Sequence, residues 1–450
     1  MRRKIYDKLL EWKQRSEGST ALLVEGARRV GKSWIVEEFA KREYADYLLI
    51  DFSRTEEVVH DIFRYDFMKT DVFFKKLFAY YGKSLPVRKS LLIFDEVQLF
   101  PRAREIIKHL VADGRYDYVE TGSLMSIKEN TDGILLPSEE ESIVMYPMDF
   151  EEYLWSLGEN TLMDYIRDSF SSLSPMGDGL HRKANSLLRE YMVIGGMPQV
   201  VSKYQKNNDL HIADHEKRII LKLYKDDVAR HAGKYALKVS GIFEDIPSQL
   251  KKTNKVFRLS AMNANARMRD YEDAFFWLDD AKIINICFNA TEPNVGLRLN
   301  RDKTLQKCYM GDTGLLLSLA FDENELAAQE IHRRILFDNI EINQGMLFEN
   351  LVAQMLVASG HKLYFFTQSG KNDKSENMEI DFLISRPSLK RRKNISPIEV
   401  KSARQYSTTS LDKFQQKYSQ YTDKAYIIHP KDLQDNGDIV KIPPYMTPLL

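Results

Sequence analysis

Cysteine is almost absent. Cys287 and Cys308 are the only two in 450 residues, and neither has a partner at metal-ligand spacing. Nothing therefore points to a cysteine metal site or a disulfide framework, and a reducing, cytoplasmic setting is expected. Net charge is also absent. Lys+Arg and Asp+Glu each number 65, so no global field draws the chain to nucleic acid, though a local basic patch stays open. No apolar run approaches the ~20 residues of a membrane helix. The N-terminal Met1-Arg2-Arg3-Lys4-Ile5-Tyr6-Asp7 is basic but leads into a charged amphipathic stretch, not an apolar signal core. No membrane partner is expected. No internal repeat and no low-complexity tract is present. What remains is a globular composition, 43% hydrophobic and 29% charged. Its length exceeds what one core supports, so two or three domains are expected.

One stretch carries more information than any other. Gly26-Ala27-Arg28-Arg29-Val30-Gly31-Lys32-Ser33 fits G-x-x-x-x-G-K-[ST] at every fixed position. The apolar run Ala21-Leu22-Leu23-Val24-Glu25 before it reads as a buried parallel strand. Apolar residues at 35, 36, 39 and 40 after it have helical spacing. Strand, glycine loop and helix together present backbone amides and a helix N-terminus to an anion. Gly26 and Gly31 let the chain approach a phosphate closely. Lys32 would reach the β and γ phosphates and Ser33 would ligate Mg²⁺. The nucleotide contacts expected are Gly26, Arg29, Val30, Gly31, Lys32, Ser33 and Trp34.

A second motif completes the chemistry. Leu91-Leu92-Ile93-Phe94 ends in Asp95-Glu96, an apolar strand delivering two carboxylates. Asp95 would hold Mg²⁺, and Glu96 would orient and polarise the attacking water. The interval from Lys32 has room for one more strand and helix, and Tyr47-Leu48-Leu49-Ile50-Asp51-Phe52 supplies the strand. Residues 58–81 are helical, and their aromatic density reads as core. Tyr116-Asp117-Tyr118-Val119-Glu120 is a further strand running into Thr121-Gly122-Ser123. There Thr121 and Ser123 are candidates to sense a γ-phosphate; a plain turn is the alternative. Catalytic roles are thus expected of Glu96, Lys32 and Ser123.

Beyond residue 130 the pattern changes. Gly133, Pro137 and Pro147 with Glu139 to Glu141 read as an exposed loop followed by an extended segment. Residues 151–228 are helical, with a breaker-rich turn at Gly195-Gly196-Met197-Pro198. Short helices and then the strand Lys282-Ile283-Ile284-Asn285-Ile286-Cys287-Phe288 suggest a winged-helix unit.

These motifs resemble those of prokaryotic AAA-type ATPases with a C-terminal DUF4143 domain. The resemblance rests on residues 26–33 and 91–98, Glu120-Thr121-Gly122-Ser123, and Tyr146-Pro147-Met148-Asp149-Phe150-Glu151-Glu152-Tyr153. Gly195-Gly196-Met197-Pro198, Tyr224-Lys225-Asp226-Asp227-Val228 and Tyr309-Met310-Gly311-Asp312-Thr313-Gly314-Leu315-Leu316 complete the series in order. It implies an α/β fold in three parts. These are an AAA-like parallel-sheet core over residues 1–155, a helical and winged-helix segment over 156–305, and a restriction-endonuclease-like domain over 306–450. The choice of ATP rests on the resemblance as well. Assembly into a homo-oligomer would call for a trans-acting arginine, with Arg102, Arg104, Arg230, Arg267 and Arg269 all candidates.

The C-terminal part holds its own constellation. Asp381 lies in Met378-Glu379-Ile380-Asp381-Phe382-Leu383-Ile384, and Glu399 and Lys401 in Pro397-Ile398-Glu399-Val400-Lys401-Ser402. This is the D…E-x-K pattern of metal-dependent nucleases. Side chains repeat every two residues on a strand, so Glu399 and Lys401 share a face. Asp381 on a neighbouring strand would share a second metal with Glu399, Glu349 would add a carboxylate, and Lys401 would position the water. The basic run Lys390-Arg391-Arg392-Lys393 would meet a phosphate backbone. Three functions follow: an ATP-driven conformational switch, an ATP-gated nuclease, and a nucleotide-switched module binding a DNA or protein partner through an inactive nuclease fold.

Overall fold

Apolar runs bounded by glycine loops and amphipathic helices build the first part of the chain. The computed structural model describes residues 1–123, 138–261, 266–294, 296–322, 325–336, 344–368, 377–385, 394–403 and 405–450. Gly133, Pro137 and the run Lys390-Arg391-Arg392-Lys393 lie outside them. The described chain divides into two compact units, Met1–Tyr146 with Asp280–Lys282, and Pro147–Asp279 with Ile283–Leu450.

The first unit holds a five-stranded sheet of β1 (Ala21–Gly26), β2 (Asp46–Asp51), β3 (Ser90–Asp95), β4 (Asp117–Gly122) and β5 (Glu140–Met145), in the order β2-β3-β4-β1-β5. Every pairing is parallel. Parallel strands are covered on both faces, which is why β3 and β4 are buried throughout. One face packs Phe52, Phe63, Phe73, Phe94 and Phe100; the other packs Leu9, Trp12, Val24, Val36 and Phe39. Of the aromatics of residues 58–81, Phe63, Phe73 and Phe74 are core, as expected, and Phe67, Phe78 and Tyr81 pack against it, while Tyr65 and Tyr80 are exposed. Their helix is broken into Glu57–Asp61, a π-turn at Ile62–Asp66, and Thr70–Tyr81. β4 separates the glycine-loop strand β1 from β3. All strands end at the same edge, where ligands bind in open α/β sheets. The extended segment expected to follow the loop with Glu139 to Glu141 is β5. Arg104 donates to both oxygens of Glu140 at 2.8 and 2.6 Å, neutralising it so that it enters strand β5.

The second unit combines helices with an eight-stranded sheet. Its strands are β6 (Ile284–Ala290), β7 (Arg301–Met310), β8 (Tyr364–Gln368), β9 (Met378–Ser385), β10 (Ile395–Val400), β11 (Ala425–Ile428), β12 (Gln434–Asp435) and β13 (Ile439–Ile442). Their order is β12-β13-β11-β10-β9-β8-β6-β7. The β6–β7 hairpin, read as a wing, is continuous with this sheet through the parallel pairing of β6 with β8. Residue 305, the expected end of the middle segment, therefore falls inside a strand. The turn after the helix Asp178–Ile194 also gains a reason. Gly196 O accepts from Met148 N at 2.7 Å, and a Cβ on Gly196 would stand 2.1 Å from Met148 O. Asp312 takes the Gly196 amide at 2.5 Å and caps the helix Thr313–Ala320 through Leu315 N at 2.9 Å. Two motifs far apart in the chain are thus one packing knot. Among the described residues no helix is long and apolar enough to cross a membrane.

Candidate functional site

The loop after β1 turns tightly against the end of β5. Gly26 lies at φ 158, and a Cβ there would stand 2.3 Å from Met145 O, so only glycine fits. Arg29 and Gly31 both take positive φ, 68 and 97. Gly31 caps the helix Lys32–Glu43, which opens directly on the loop. Val30 is fully buried in the core, and its amide turns back to Ala27 O at 3.4 Å. It anchors the loop through its side chain. Trp34, on the first turn of the helix, is exposed. The Lys32 ammonium is buried and donates to Gly26 O and Ala27 O at 3.0 and 3.1 Å, curled over its own loop. Burial pushes its pKa down to about 8, against the pull of Glu96 and Asp95.

The strand carrying the acidic pair meets that loop. Ser33 Oγ donates to Asp95 Oδ1 at 2.8 Å, and the Thr121 hydroxyl donates to the same oxygen. Burial raises the Asp95 pKa, while the two hydroxyls oppose the rise. A serine hydroxyl and a carboxylate converging from two elements are hard oxygen donors of the kind Mg²⁺ takes. The residues fit that ion. Thr121 makes the contact to Asp95; Ser123 lies half-buried just beyond β4. Glu96 sits in the left-handed region at φ 55, ψ 45, which turns its side chain out of the strand's alternation. The Gln98 side-chain amide donates to the Glu96 carboxylate. Gln98 was not anticipated from the sequence, although its position two residues past Glu96 was a usable signal. Nor was Arg3. Its guanidinium spans Val30 O at 3.0 Å and Tyr146 O at 2.6 Å, tying the glycine loop to the end of the segment Met1–Tyr146.

The candidate arginines separate by environment. The Arg104 side chain is 8% exposed and committed to Glu140. Arg102 pairs with Glu105 and lies 4.7 Å over the Phe67 ring. Arg230, Arg267 and Arg269 are exposed in the second unit.

The C-terminal constellation is also brought together. β9 and β10 run antiparallel with Phe382 opposite Ile398, which sets Asp381 beside Glu399. Val400 N donates to Asp381 Oδ2 at 2.8 Å, and Lys401 Nζ stands 2.7 Å from Glu399 Oε2. Burial raises the Glu399 pKa to about 6 against the Lys401 charge. Lys307, unforeseen, enters from β7. Its buried ammonium lies 3.3 Å from Glu349, 3.3 Å from Glu379 and 3.7 Å from Asp381. Glu349 also takes Lys255 at 2.5 Å and the Tyr309 hydroxyl. Burial alone would raise the Glu349 pKa, but Lys307 and Lys255 hold it down at about 2. Among the described residues no group of three or more His, Cys, Asp or Glu is arranged to hold a metal ion.

Residues 18–154 match the AAA domain family AAA_14, and residues 344–445 match the domain of unknown function DUF4143. Between them, residues 185–326 match a further domain of unknown function, DUF8612. An uncharacterized protein of Haemophilus influenzae is 24% identical over 216 residues, 47% of this chain and 46% of that protein. The chain thus spans about half the length of the curated relative it matches. Among solved structures, the Walker-type ATPase PABY2304 of Pyrococcus abyssi aligns with a TM-score of 0.42 at 14% identity, over 71% of this chain and 95% of that one. An AAA-type domain followed by a DUF4143 domain is the arrangement the motifs led one to expect.

Proposed function

We propose that this chain, which joins an AAA-type P-loop domain to a DUF4143 domain, binds ATP with Mg²⁺ and hydrolyses it to switch the state of its second unit. The hydrogen bond from Ser33 to Asp95 carries the reading, because it joins the glycine loop to the acidic strand at the ligand-binding edge of the sheet. Loop amides and the N-terminus of the helix Lys32–Glu43 hold the phosphates. Lys32 exchanges its bonds to Gly26 O and Ala27 O for phosphate oxygens. Ser33 and Asp95 would hold Mg²⁺, which supplies neutralisation of phosphate charge when bound. Glu96 accepts a hydrogen bond from the attacking water and takes its proton as the water oxygen bonds to the γ-phosphorus. The bond from that phosphorus to the β-phosphate oxygen breaks, releasing ADP and inorganic phosphate. Gln98 fixes which Glu96 oxygen faces the water, since it occupies Oε2. Removing the Lys32 cation tests the binding step. Lys32→Ala is expected to abolish nucleotide binding in a titration with a fluorescent ATP analogue; undiminished binding would refute the site.

The switch reading is supported by Arg3, whose two backbone bonds connect Val30 in the loop to Tyr146, where the first segment of the first unit gives way to the second unit. A loop that reorganises around phosphate thereby shifts the chain at the point where the second unit begins.

A further inference from the structure

The D…E-x-K residues of the second unit raise the question of a second metal. In a metal-dependent nuclease, a divalent ion neutralises carboxylates that would otherwise repel one another. Here the neutralising charge is built into the chain. Lys307 is 1% exposed, and its ammonium contacts Glu349 and Glu379 at 3.3 Å each and Asp381 at 3.7 Å. Lys255 adds a second positive charge on the far oxygen of Glu349, at 2.5 Å. The remaining groups are also committed. Asp381 Oδ2 accepts the Val400 amide at 2.8 Å, Glu349 Oε1 accepts the Tyr309 hydroxyl, and Glu399 is paired with Lys401 at 2.7 Å. Four carboxylates balanced by three ammonium ions leave little unmatched charge for a divalent cation.

We infer that Lys307 is the resident cation of this cluster. Its ammonium takes the place a divalent metal would occupy between Asp381 and Glu349, and the D…E-x-K residues of this chain are a metal-independent scaffold. The position is favourable for that role. β7 lies at the edge of the sheet beside β6, and its inward-facing residues 307 and 309 reach the helix Gln344–Ala358. A lysine at 307 therefore points where Glu349 and Asp381 converge, and a buried ammonium is stable only with such partners. In this arrangement Asp381 and Glu399 cleave nothing, and the domain acts by what it binds.

Manganese bound to the full chain, counted by electron paramagnetic resonance, tests the inference without relying on activity. Wild type and Asp381→Asn should bind the same number of Mn²⁺ ions, any ion at the Ser33–Asp95 site being common to both. Lys307→Met keeps the apolar stem and removes the charge. It should gain one Mn²⁺ site, which Lys307→Met/Asp381→Asn then loses. A wild-type ion that disappears in Asp381→Asn would overturn the inference. So would a folded Lys307→Met chain that gains no site. Should Lys307→Met fail to fold, the wild-type and Asp381→Asn comparison decides alone: equal counts support the inference, and unequal counts refute it.

Discussion

Ser33 Oγ donates to Asp95 Oδ1 at 2.8 Å, and this contact joins two parts of the chain that no local pattern connects. The serine opens a helix after β1, and the aspartate ends β3, with β4 between those strands. Thr121, at the end of β4, donates to the same aspartate oxygen. Two neighbouring strands and the helix that follows a third thus converge on one carboxylate.

On the proposed reading, Thr121 acts by orienting Asp95 through its hydrogen bond rather than by holding the ion. Partners of that kind typically contribute about 10–100-fold in metal affinity or activity. Thr121→Val should therefore weaken Mg²⁺-dependent ATP binding by about that factor, while nucleotide binding in excess chelator stays unchanged. Titrations with and without Mg²⁺ read the difference. An equal loss in both would make Thr121 a plain packing residue.

Lys32 sets a pH dependence. Its folded pKa is lowered to about 8, below the ordinary lysine value of 10.5, by burial. The charged form that attracts phosphate is complete below pH about 8 and is lost as pH rises through it. ATP affinity should fall above about pH 8, by up to about tenfold per unit, with proton uptake on binding. Calorimetry in buffers of different ionisation enthalpy measures that proton. Constant affinity to pH 10, with no uptake, would contradict it.

Arg104 and Glu140 are both almost fully buried as a bidentate pair. Removing one member of such a pair costs about 3–5 kcal/mol, because the other charge is left unpaired. Arg104→Ala should therefore lower thermal stability sharply with or without nucleotide. A trans-acting arginine behaves oppositely, with full stability and lost turnover; that result for Arg104→Ala would reverse the assignment.

Arg3→Ala should separate binding from coupling. ATP affinity should stay within a few fold of wild type, since Arg3 meets the loop at the Val30 carbonyl and not at a side chain of the site. Hydrogen exchange at residues 144–150 should no longer respond to ATP. An unchanged nucleotide response there would remove Arg3 from the route.

The sequence carried the phosphate loop and the Asp95-Glu96 strand clearly, because their chemistry lies in contiguous residues whose flanks have simple periodicity. Asp381 beside Glu399 was also legible, since both sit on strongly patterned strands. What failed to show was non-local. β6 pairs with β8, beyond β7 and three intervening helices, so a strand following short helices read as part of a winged-helix unit. The burial of Glu140 did not show because its partner Arg104 is distant in sequence. Lys307 sits in Leu305-Gln306-Lys307-Cys308-Tyr309, where a charged residue among apolar ones normally faces water. Only the sheet order aims it at Glu349. Gly196 was legible as a turn, but the carbonyl of Met148 that demands a glycine there was not.

Steady-state ATP hydrolysis by wild type and Glu96→Gln, with ATP affinity measured on the same samples, tests the central claim most directly. Glutamine keeps the shape of Glu96 and removes its ability to take a proton. The account predicts Mg²⁺-dependent hydrolysis by wild type, and a variant that binds ATP normally but turns over about 10²–10⁴-fold more slowly. Hydrolysis undiminished in Glu96→Gln would contradict it.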